Sequence, residues 1–347
     1  MQKSAPASAA EALHAMTPES FRPHRLHSDE PTWSNTNCYS DVWIELLWLL
    51  GLDPVPAMAC ALSAQFCGDQ WEFVKPDPAD LHKLYGIRFG EYPLWRPIAE
   101  HWSTQTSAGN LLLVEVDAFH LPDTAGTSYR STHEKTSIVP LAVELEAKKL
   151  TYLHNSGLYQ LDGADFEAVF GSTVQTGTVP FPYVDLINLT GMQRLERKAL
   201  AKVAEDVLAG QLQRVAAAPQ QPMAELADYL RTQLPVLRGQ GLSYFHRLAF
   251  ATTRQAGLSA MLAAELCRWL AAARQEQHRP QYALLTAAED FSACSANAKQ
   301  LQFKLARVAA GRSTETESAL TALPQSWDRA MSQLLASQLP SSGADRD

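Results

Sequence analysis

The sequence predicts an α+β fold in which a buried helix packs on an antiparallel sheet and a bundle of helices follows. Three observations lead to this prediction. An almost entirely apolar run covers residues 42–50, and β-prone stretches separated by turn residues fill much of residues 111–155. After residue 191, long segments rich in Ala, Leu, Gln and Arg have the apolar spacing of helices.

Changes in composition predict the domain boundaries. Residues before about 31 are rich in Ala, Ser, Pro and His without apolar periodicity, and the composition changes again near Gly191. We therefore expect four parts: a flexible N-terminal arm over residues 1–30, an α+β domain over residues 31–190, a helical domain over residues 191–337 and a disordered tail over residues 338–347.

Composition narrows the classes of function. The 347 residues carry a formal net charge of -8 without a concentrated basic run, which argues against nucleic acid or an anionic membrane as the main partner. Five scattered cysteines without a CxxC pair fit a reducing cytoplasm better than disulfides or a zinc site. With no signal-peptide pattern, spanning segment, phosphate loop or dinucleotide motif recognised, we expect a cytoplasmic protein without metal, ATP or NAD. The oligomeric state is left open.

The first element is a short buried helix that begins at Cys38. Asn37 is a suitable N-cap, and Gly51 follows the apolar run as a residue that commonly ends helices. Glu45 is the only charge in the apolar run, so other elements have to surround the helix. In the first turn, Cys38 meets unpaired backbone N–H groups and the helix dipole, which favour a thiolate. Cys38 is therefore predicted as a nucleophile, and an inert buried thiol is the alternative.

The elements that follow build the predicted sheet. A second apolar helix is expected over residues 57–66 and a short strand over residues 71–74. The continuous β-prone run at residues 111–119 predicts a strand inside the sheet. Beyond it, a hairpin is predicted from one arm that ends near Leu145 and another over residues 150–155. Its first arm contains a proline, which predicts either an edge strand or a bulge.

Cys38, His133 and Asn155 are predicted to form a catalytic triad. A thiol nucleophile needs a base to take its proton and a third group to hold the imidazole in the useful tautomer. His133 begins one arm of the hairpin and Asn155 ends the other, so the two are expected to meet. A helix opened by the cysteine, with this order of residues, is the arrangement of a papain-like fold, so residues 31–190 are predicted to form a papain-like catalytic domain. Three other histidines are alternatives to His133 as the base: His120, His154 and His246. A structural role is the simpler interpretation of each.

Several segments resemble the bacterial DUF1839 family, whose function is unknown. They comprise residues 37–41, 113–124, 129–136, 152–159, 244–246 and 301–304. The chain is more distantly similar to the N-terminal domain of the butirosin-pathway acyltransferase. The similarity lies in the order of three features: a cysteine region, a strand end with Asp117 and a Leu-Pro pair, and a later histidine. That domain is similar in turn to the papain-like C39 peptidases, which use Cys, His and Asp.

The resemblance implies acyl transfer from an acyl or aminoacyl carrier protein. Cys38 would take the acyl group from a phosphopantetheine thioester, and His133 would deprotonate a small-molecule amine acceptor. The phosphopantetheine would arrive on the carrier protein, so the chain itself would bind no cofactor. Backbone N–H groups at the helix start, with the side chain of Asn35 or Asn37, would stabilise the oxyanion, and Asp117 would border the site.

Two other classes of function remain open. A cysteine hydrolase (a thioesterase, amidase or peptidase) would use the same triad with water as acceptor. A non-catalytic scaffold would bind a carrier protein through its helical half and leave Cys38 merely buried. Reaction of Cys38 with an alkylating agent separates the first two classes from the third. Two basic helix faces are candidates for docking an acidic carrier protein: Lys299, Lys304, Arg307 and Arg312 on one, and Arg194, Arg197, Lys198 and Lys202 on the other.

Overall fold

The computed structural model describes residues 12–28, 32–170, 182–217 and 221–338. Packing divides these residues into two compact units. The sheet unit takes its residues from Met1–Pro54 and Pro76–Leu195, and the helical unit takes its residues from Val55–Lys75 and Glu196–Asp347. Residues 55–75 therefore lie between two parts of the sheet unit in sequence but pack with the helices.

The described residues of the sheet unit form a six-stranded antiparallel sheet. Its strands are β1 (Arg88–Glu91), β2 (Leu111–Asp117), β3 (Lys135–Glu144), β4 (Lys149–His154), β5 (Gly157–Asp162) and β6 (Val184–Asn188). Their order across the sheet is β1-β6-β2-β3-β4-β5. The predicted α+β class is confirmed, because β2 is the expected inner strand and β3 and β4 are the two arms of the expected hairpin.

The strand β3 lies inside the sheet although it contains a proline. It pairs with β2 along one side and with β4 along the other. The register with β4 shifts between Pro140 and Ala142, where Pro140 is opposite Tyr152 and Ala142 is opposite Thr151. Such a bulge accommodates a residue that has no backbone N–H to donate. Of the two alternatives for this arm, the structure shows the bulge.

Helices that accompany the sheet in the described part of the chain include α1 (Arg25–Ser28), α2 (Cys38–Leu49), α3 (Pro78–Tyr85), α4 (Ile98–Ser107) and α5 (Gly163–Val169). The predicted buried helix is α2, which packs on β3 and β4. Asn37 caps it as expected: its φ of -140° is extended, and its side-chain oxygen accepts a hydrogen bond from the backbone N–H of Ser40 at 3.1 Å. The cap fixes Cys38 as the first helical residue.

Part of the predicted flexible arm is packed against α2. The backbone N–H of His24 donates to Glu45 at 3.0 Å, and the side chain of His27 lies between two buried carboxylates. Its Nδ1 is 2.5 Å from Glu45 Oε1, and its Nε2 is 3.2 Å from Asp41 Oδ1. Buried carboxylates need such partners, because an unpaired charge is costly away from water. Residues 21–27 therefore differ from the mobile arm that their composition suggests.

A close approach of two glycines joins α3 to the segment after β6. Gly86 ends α3 with a φ of +70°, which favours glycine. A Cβ added at Gly86 would lie only 2.0 Å from the carbonyl oxygen of Gly191, whose backbone could not move away without disturbing its neighbours. The position requires glycine for its conformation and for its space.

Replacing Gly86 with Ala should destabilise the sheet unit by roughly 1–3 kcal/mol, because the clash adds an overpacking cost to the conformational strain. Urea unfolding would measure the loss. Gly126→Ala is the matched control, since Gly126 has a φ of +89° but no atom within 4 Å of the added Cβ. Equal losses in the two variants would show that the close approach to Gly191 contributes nothing.

The described residues of the helical unit form five long helices: α6 (Arg197–Ala217), α7 (Pro222–Ala249), α8 (Gln255–Glu276), α9 (Tyr282–Ala309) and α10 (Glu317–Ala336). This confirms the predicted all-helical region. A kink at Gly241, with a φ of 72°, interrupts α7. Between α7 and α8, residues Phe250–Arg254 form a π-helix.

Residues 55–75 differ from their predicted elements. The expected apolar α-helix over residues 57–66 is a 3-10 helix over Val55–Leu62, and it packs against α6 and α8. The expected strand over residues 71–74 is wrong. The backbone N–H of Trp71 instead donates to the carbonyl of Ala251 in the π-helix at 2.8 Å. The wider turn of a π-helix leaves a carbonyl available for such a partner.

One helical run among the described residues is long and apolar enough to cross a membrane by composition. It covers Pro222–Glu276, and its most apolar 18-residue window has a mean hydropathy of 1.2. In the structure, 78% of that window is buried inside the protein, as is typical of a core helix.

Candidate functional site

His133 and Asp117 lie together where β2 ends and β3 begins. The two strands pair so that Asp117 is opposite Lys135, two residues after His133. This register brings His133 Nδ1 to 2.6 Å from Asp117 Oδ2. The structure thus places two of the predicted site residues in direct contact.

Asp117 is held as a carboxylate by three hydrogen bonds. Its Oδ1 accepts from the backbone N–H groups of Phe119 at 3.0 Å and Glu134 at 3.2 Å, while Oδ2 faces His133. Desolvation raises the pKa of Asp117, but the hydrogen bonds from His133, Phe119 and Glu134 outweigh it and hold that pKa below its ordinary value. A carboxylate at this position keeps a proton on Nδ1 of His133 and leaves Nε2 able to accept one.

Phe119 fixes the plane of the His133 ring. The two rings stack with their centroids 4.3 Å apart and an angle of 13° between their planes. The side chain of His133 is nevertheless 71% exposed, so much of the imidazole is open to solvent. The imidazole is therefore oriented by Asp117 and Phe119 and still accessible to a reactant.

Contacts on both sides of Cys38 fix the path of the chain across the sheet. Tyr39 donates to Oδ2 of Asp185 on β6 at 2.8 Å. On the other side, Asn35 accepts from Ser156, in the turn after β4, at 2.9 Å. Because β2 and β3 lie between β6 and β4 in the sheet, the chain around Cys38 crosses these two strands.

The start of α2 and Asp117 share one face of the sheet. Side chains alternate along a strand, so Leu113, Glu115 and Asp117 point to the same face of β2. Asp185 is the antiparallel partner of Leu113 and belongs to that face as well. Since Tyr39 reaches Asp185, α2 begins over this face. Cys38, which is partly exposed, is thus on the same side of the same two strands as the His133–Asp117 pair.

Asn155 lies farther along the sheet. The register of β3 and β4 pairs Ile138 with His154, so Asn155 is level with Ser137. Ser137 is four residues from His133, a distance of about 13 Å along an extended strand. The φ of Asn155 is 48°, because it begins the tight turn into β5. Asp117 occupies the place beside His133 that the sequence predicts for Asn155.

The two predicted oxyanion residues lie next to Cys38 and have structural partners. The side-chain oxygen of Asn37 is used by the helix cap, and that of Asn35 accepts from Ser156. An oxyanion would need hydrogen-bond donors, which these side chains have only in their amide NH2 groups. The backbone N–H groups at the start of α2 are donors of the same kind.

A second histidine–aspartate pair is buried on the opposite face of the sheet. His154 Nδ1 is 2.5 Å from Asp123 Oδ2, and Tyr152 donates to the other oxygen of Asp123 at 2.5 Å. The remaining nitrogen of His154, Nε2, is 2.7 Å from Thr136 Oγ1. His154 pairs with Ile138, which alternates with Ser137 and so points away from the side of α2. This network is not part of the His133 site.

A cavity of about 430 Å³ lies beside the His133–Asp117 pair. Its apolar lining consists of Val116, Ala168, Val169 and Pro182. Its polar lining consists of Asp117, His133, Glu115, Glu134, Lys135 and Tyr183. The volume is in the range of small-molecule binding sites.

Glu115 and Tyr183 are site residues that the sequence analysis does not identify. Glu115 is a charged residue between the apolar residues Val114 and Val116 of a strand, and this is its signal in the sequence. Tyr183 donates to Asp185 at 3.2 Å, so Asp185 connects the cavity to the start of α2 through Tyr39. Burial and the charge of Asp185 raise the pKa of Tyr183 to about 12, which keeps its hydroxyl protonated.

Several residues of the predicted docking faces already have partners. Lys304 pairs with Glu315 at 2.9 Å, and Arg197 pairs with Glu276 at 2.8 Å. Arg194 donates to the backbone carbonyl of Leu50 at 2.7 Å. Among the described residues, no group of three or more His, Cys, Asp and Glu side chains is arranged to hold a metal ion.

The sequence matches one family along most of its length. Residues 22–189 match the DUF1839 N-terminal domain, and residues 197–336 match the DUF1839 C-terminal domain. No curated protein matches the chain. The similarities to the butirosin-pathway acyltransferase and to the C39 peptidases stay predictions. Cys38, His133 and Asp117 all fall within the first of the two matched domains, and the chain belongs to the DUF1839 family.

Proposed function

We propose that this protein is a cysteine-dependent acyltransferase that moves an aminoacyl group from a carrier-protein thioester to an amine. The observation that carries the proposal is that Cys38 begins a buried helix over the same face of β2 and β3 that holds the His133–Asp117 pair. A thiol at a helix start and an imidazole oriented by a carboxylate are the two parts that a papain-like enzyme combines. In this proposal Asp117, rather than Asn155, is the third member of the triad.

The reaction would proceed in two halves through one base. His133 Nε2 takes the proton of Cys38, and the thiolate attacks the thioester carbonyl. Backbone N–H groups at the start of α2, with the amide of Asn35 or Asn37, donate to the oxyanion. Collapse breaks the bond to phosphopantetheine, whose sulfur receives the proton from His133. The amine then attacks the acyl-cysteine, His133 accepts its proton, and the Cys38 sulfur leaves.

A thioester donor suits this chemistry. Exchange of one thioester for another changes little in bond energy, so the acyl-enzyme can wait for its acceptor. No group bound by the chain is required, since the carrier protein brings its own phosphopantetheine.

A cysteine hydrolase is the second candidate. The observation that favours it is the exposure of His133, because an open imidazole edge can activate water as readily as an amine. Hydrolysis would use the same acyl-cysteine and would release a free acid instead of an amide.

Intact-mass spectrometry tests the proposal directly. The protein is mixed with a panel of aminoacyl-loaded carrier proteins, and the unmodified chain is compared with Cys38→Ala. We expect a mass increase equal to the acyl group, lost completely in Cys38→Ala. Cys67→Ala is the matched control, because Cys67 is an exposed cysteine whose pKa is raised by partial burial and by Glu72.

The outcomes separate the candidate functions. An adduct that decays to free amino acid without transfer to any amine would indicate the hydrolase. No adduct and no loss of loaded carrier across the panel, with Cys38 also inert to iodoacetamide, would overturn both enzyme proposals and favour a non-catalytic scaffold.

A further inference from the structure

In the lining of the cavity beside His133, a carboxylate already pairs with an ammonium group of the protein. Lys135 Nζ is 2.6 Å from Glu115 Oε1, and both residues line the cavity. The side chain of Glu115 is 18% exposed, whereas that of Lys135 is 60% exposed. The carboxylate is therefore fixed in the wall, and its cationic partner lies largely in solvent.

In an ion pair of this kind, the carboxylate can easily exchange its lysine partner for another ammonium group. An ion pair with one solvated, flexible member contributes little to stability, so another ammonium can replace Lys135 at small cost. Asp117 is different, because His133 and two backbone N–H groups already use its oxygens. Glu115 is thus the carboxylate of the cavity best suited to a ligand.

The rest of the lining indicates what kind of ligand fits. Val116, Val169 and Pro182 supply an apolar wall, which suits a hydrocarbon chain. Glu115 and Asp117 are two residues apart on β2, about 7 Å along the strand, so a short chain can reach from one to the region of the other. With Glu134 also in the lining, a ligand carboxylate would meet repulsion.

We propose that this cavity binds the acceptor of the acyl transfer, and that the acceptor is a small diamine or similar polyamine. One amino group stays protonated and pairs with Glu115, and the other loses its proton to His133 and attacks the acyl-cysteine. This assignment of the acceptor rests on the proposed function of the site. The cavity discriminates against amino acids, because the three carboxylates of its lining, Glu115, Asp117 and Glu134, outnumber its one ammonium group, that of Lys135.

Binding can be measured without any chemistry in the Cys38→Ala variant. Calorimetric titrations use 1,4-diaminobutane and 4-aminobutanoate, which have the same chain length and differ in one charged end. We expect the diamine to bind at least about tenfold more tightly, and Glu115→Gln to weaken it at least about tenfold, as for loss of a charge-assisted hydrogen bond. Glu144→Gln is the control, since Glu144 is exposed at the far end of the same strand β3 as Lys135.

Equal binding of the two ligands, or unchanged diamine binding in Glu115→Gln, would overturn the assignment. The mass assay for the Cys38 adduct gives an independent result. Selective diamine binding without any adduct would leave the cavity assignment standing as a ligand site and overturn the proposed chemistry. An adduct on Cys38 without diamine binding would support the proposed chemistry and overturn the assignment of the cavity.

Discussion

Replacing Asp117 with Asn should lower the rate of Cys38 acylation by about three to four orders of magnitude, as expected when the base of a triad is held in the wrong tautomer. An Asn side chain can keep the contacts of Oδ1 with the N–H groups of Phe119 and Glu134. Its NH2 group would then face Nδ1 of His133 and donate to it. The imidazole proton would move to Nε2, and His133 could no longer accept the proton of Cys38.

Stopped-flow or quenched mass measurements of adduct formation would give the rate, and alkylation by iodoacetamide across pH would report the thiolate. Asn155→Gly is the matched control, because glycine keeps the positive φ of the turn and removes the amide. We expect Asn155→Gly to react like the unmodified protein. A large loss in Asn155→Gly with little loss in Asp117→Asn would restore Asn155 as the group that orients the base.

Replacing His27 with Ala should destabilise the sheet unit by about 3–5 kcal/mol, the range for removing one partner of a buried ion pair. The two carboxylates of Asp41 and Glu45 are buried in α2, and His27 is their shared partner. Alanine at position 27 would leave both buried carboxylates without this shared partner. Residues 21–27 would also lose two of their polar contacts with α2.

Urea unfolding would measure the loss in free energy of unfolding. Hydrogen exchange of the native protein would show whether the α2 amides become less protected. His82→Ala is the control, since His82 is exposed on α3 in the same unit. A loss below 1 kcal/mol in His27→Ala, similar to that in His82→Ala, would contradict a role of the cluster in stability.

The same cluster predicts the direction of a pH dependence. Burial lowers the pKa of His27, but the hydrogen bonds and charges of Asp41 and Glu45 outweigh it and raise the pKa from 6.5 to about 9. Folding therefore favours the protonated form. The contribution is complete below pH 6.5 and is lost as the pH rises through about 9. His27→Ala should remove this part of the pH dependence of unfolding.

Local signals were sufficient for much of the fold. The N-cap Asn37 and the apolar run after it predict α2, and the cap is observed. The β-prone run at 111–119 and the turn before residue 150 predict β2 and the β3–β4 hairpin, because these depend on neighbouring residues alone. The same is true of the long helices after residue 191.

Long-range pairing decides what the sequence leaves undetermined. Whether His133 meets Asn155 or Asp117 depends on which strand lies on which side of β3 and on their register. A strand period of two residues carries no information about either. Glu115 is distinguished only by its neighbours across the cavity, which are distant in sequence. Residues 55–75 carry no local sign that they pack with the helices.

The assignment of residues 55–75 to the helical unit bears on the order of events during synthesis. The 3-10 helix Val55–Leu62 is buried along its whole length, and one of its partners, α8, ends at Glu276. A ribosome adding about 5–20 residues per second needs on the order of 10–40 s to pass from residue 75 to the end of α8. The other partner of the 3-10 helix, α6, is complete by residue 217, so during much of this interval the apolar segment lacks α8. We therefore expect newly made chains to depend on chaperones at this stage, and the helical unit to acquire its packing only late in translation.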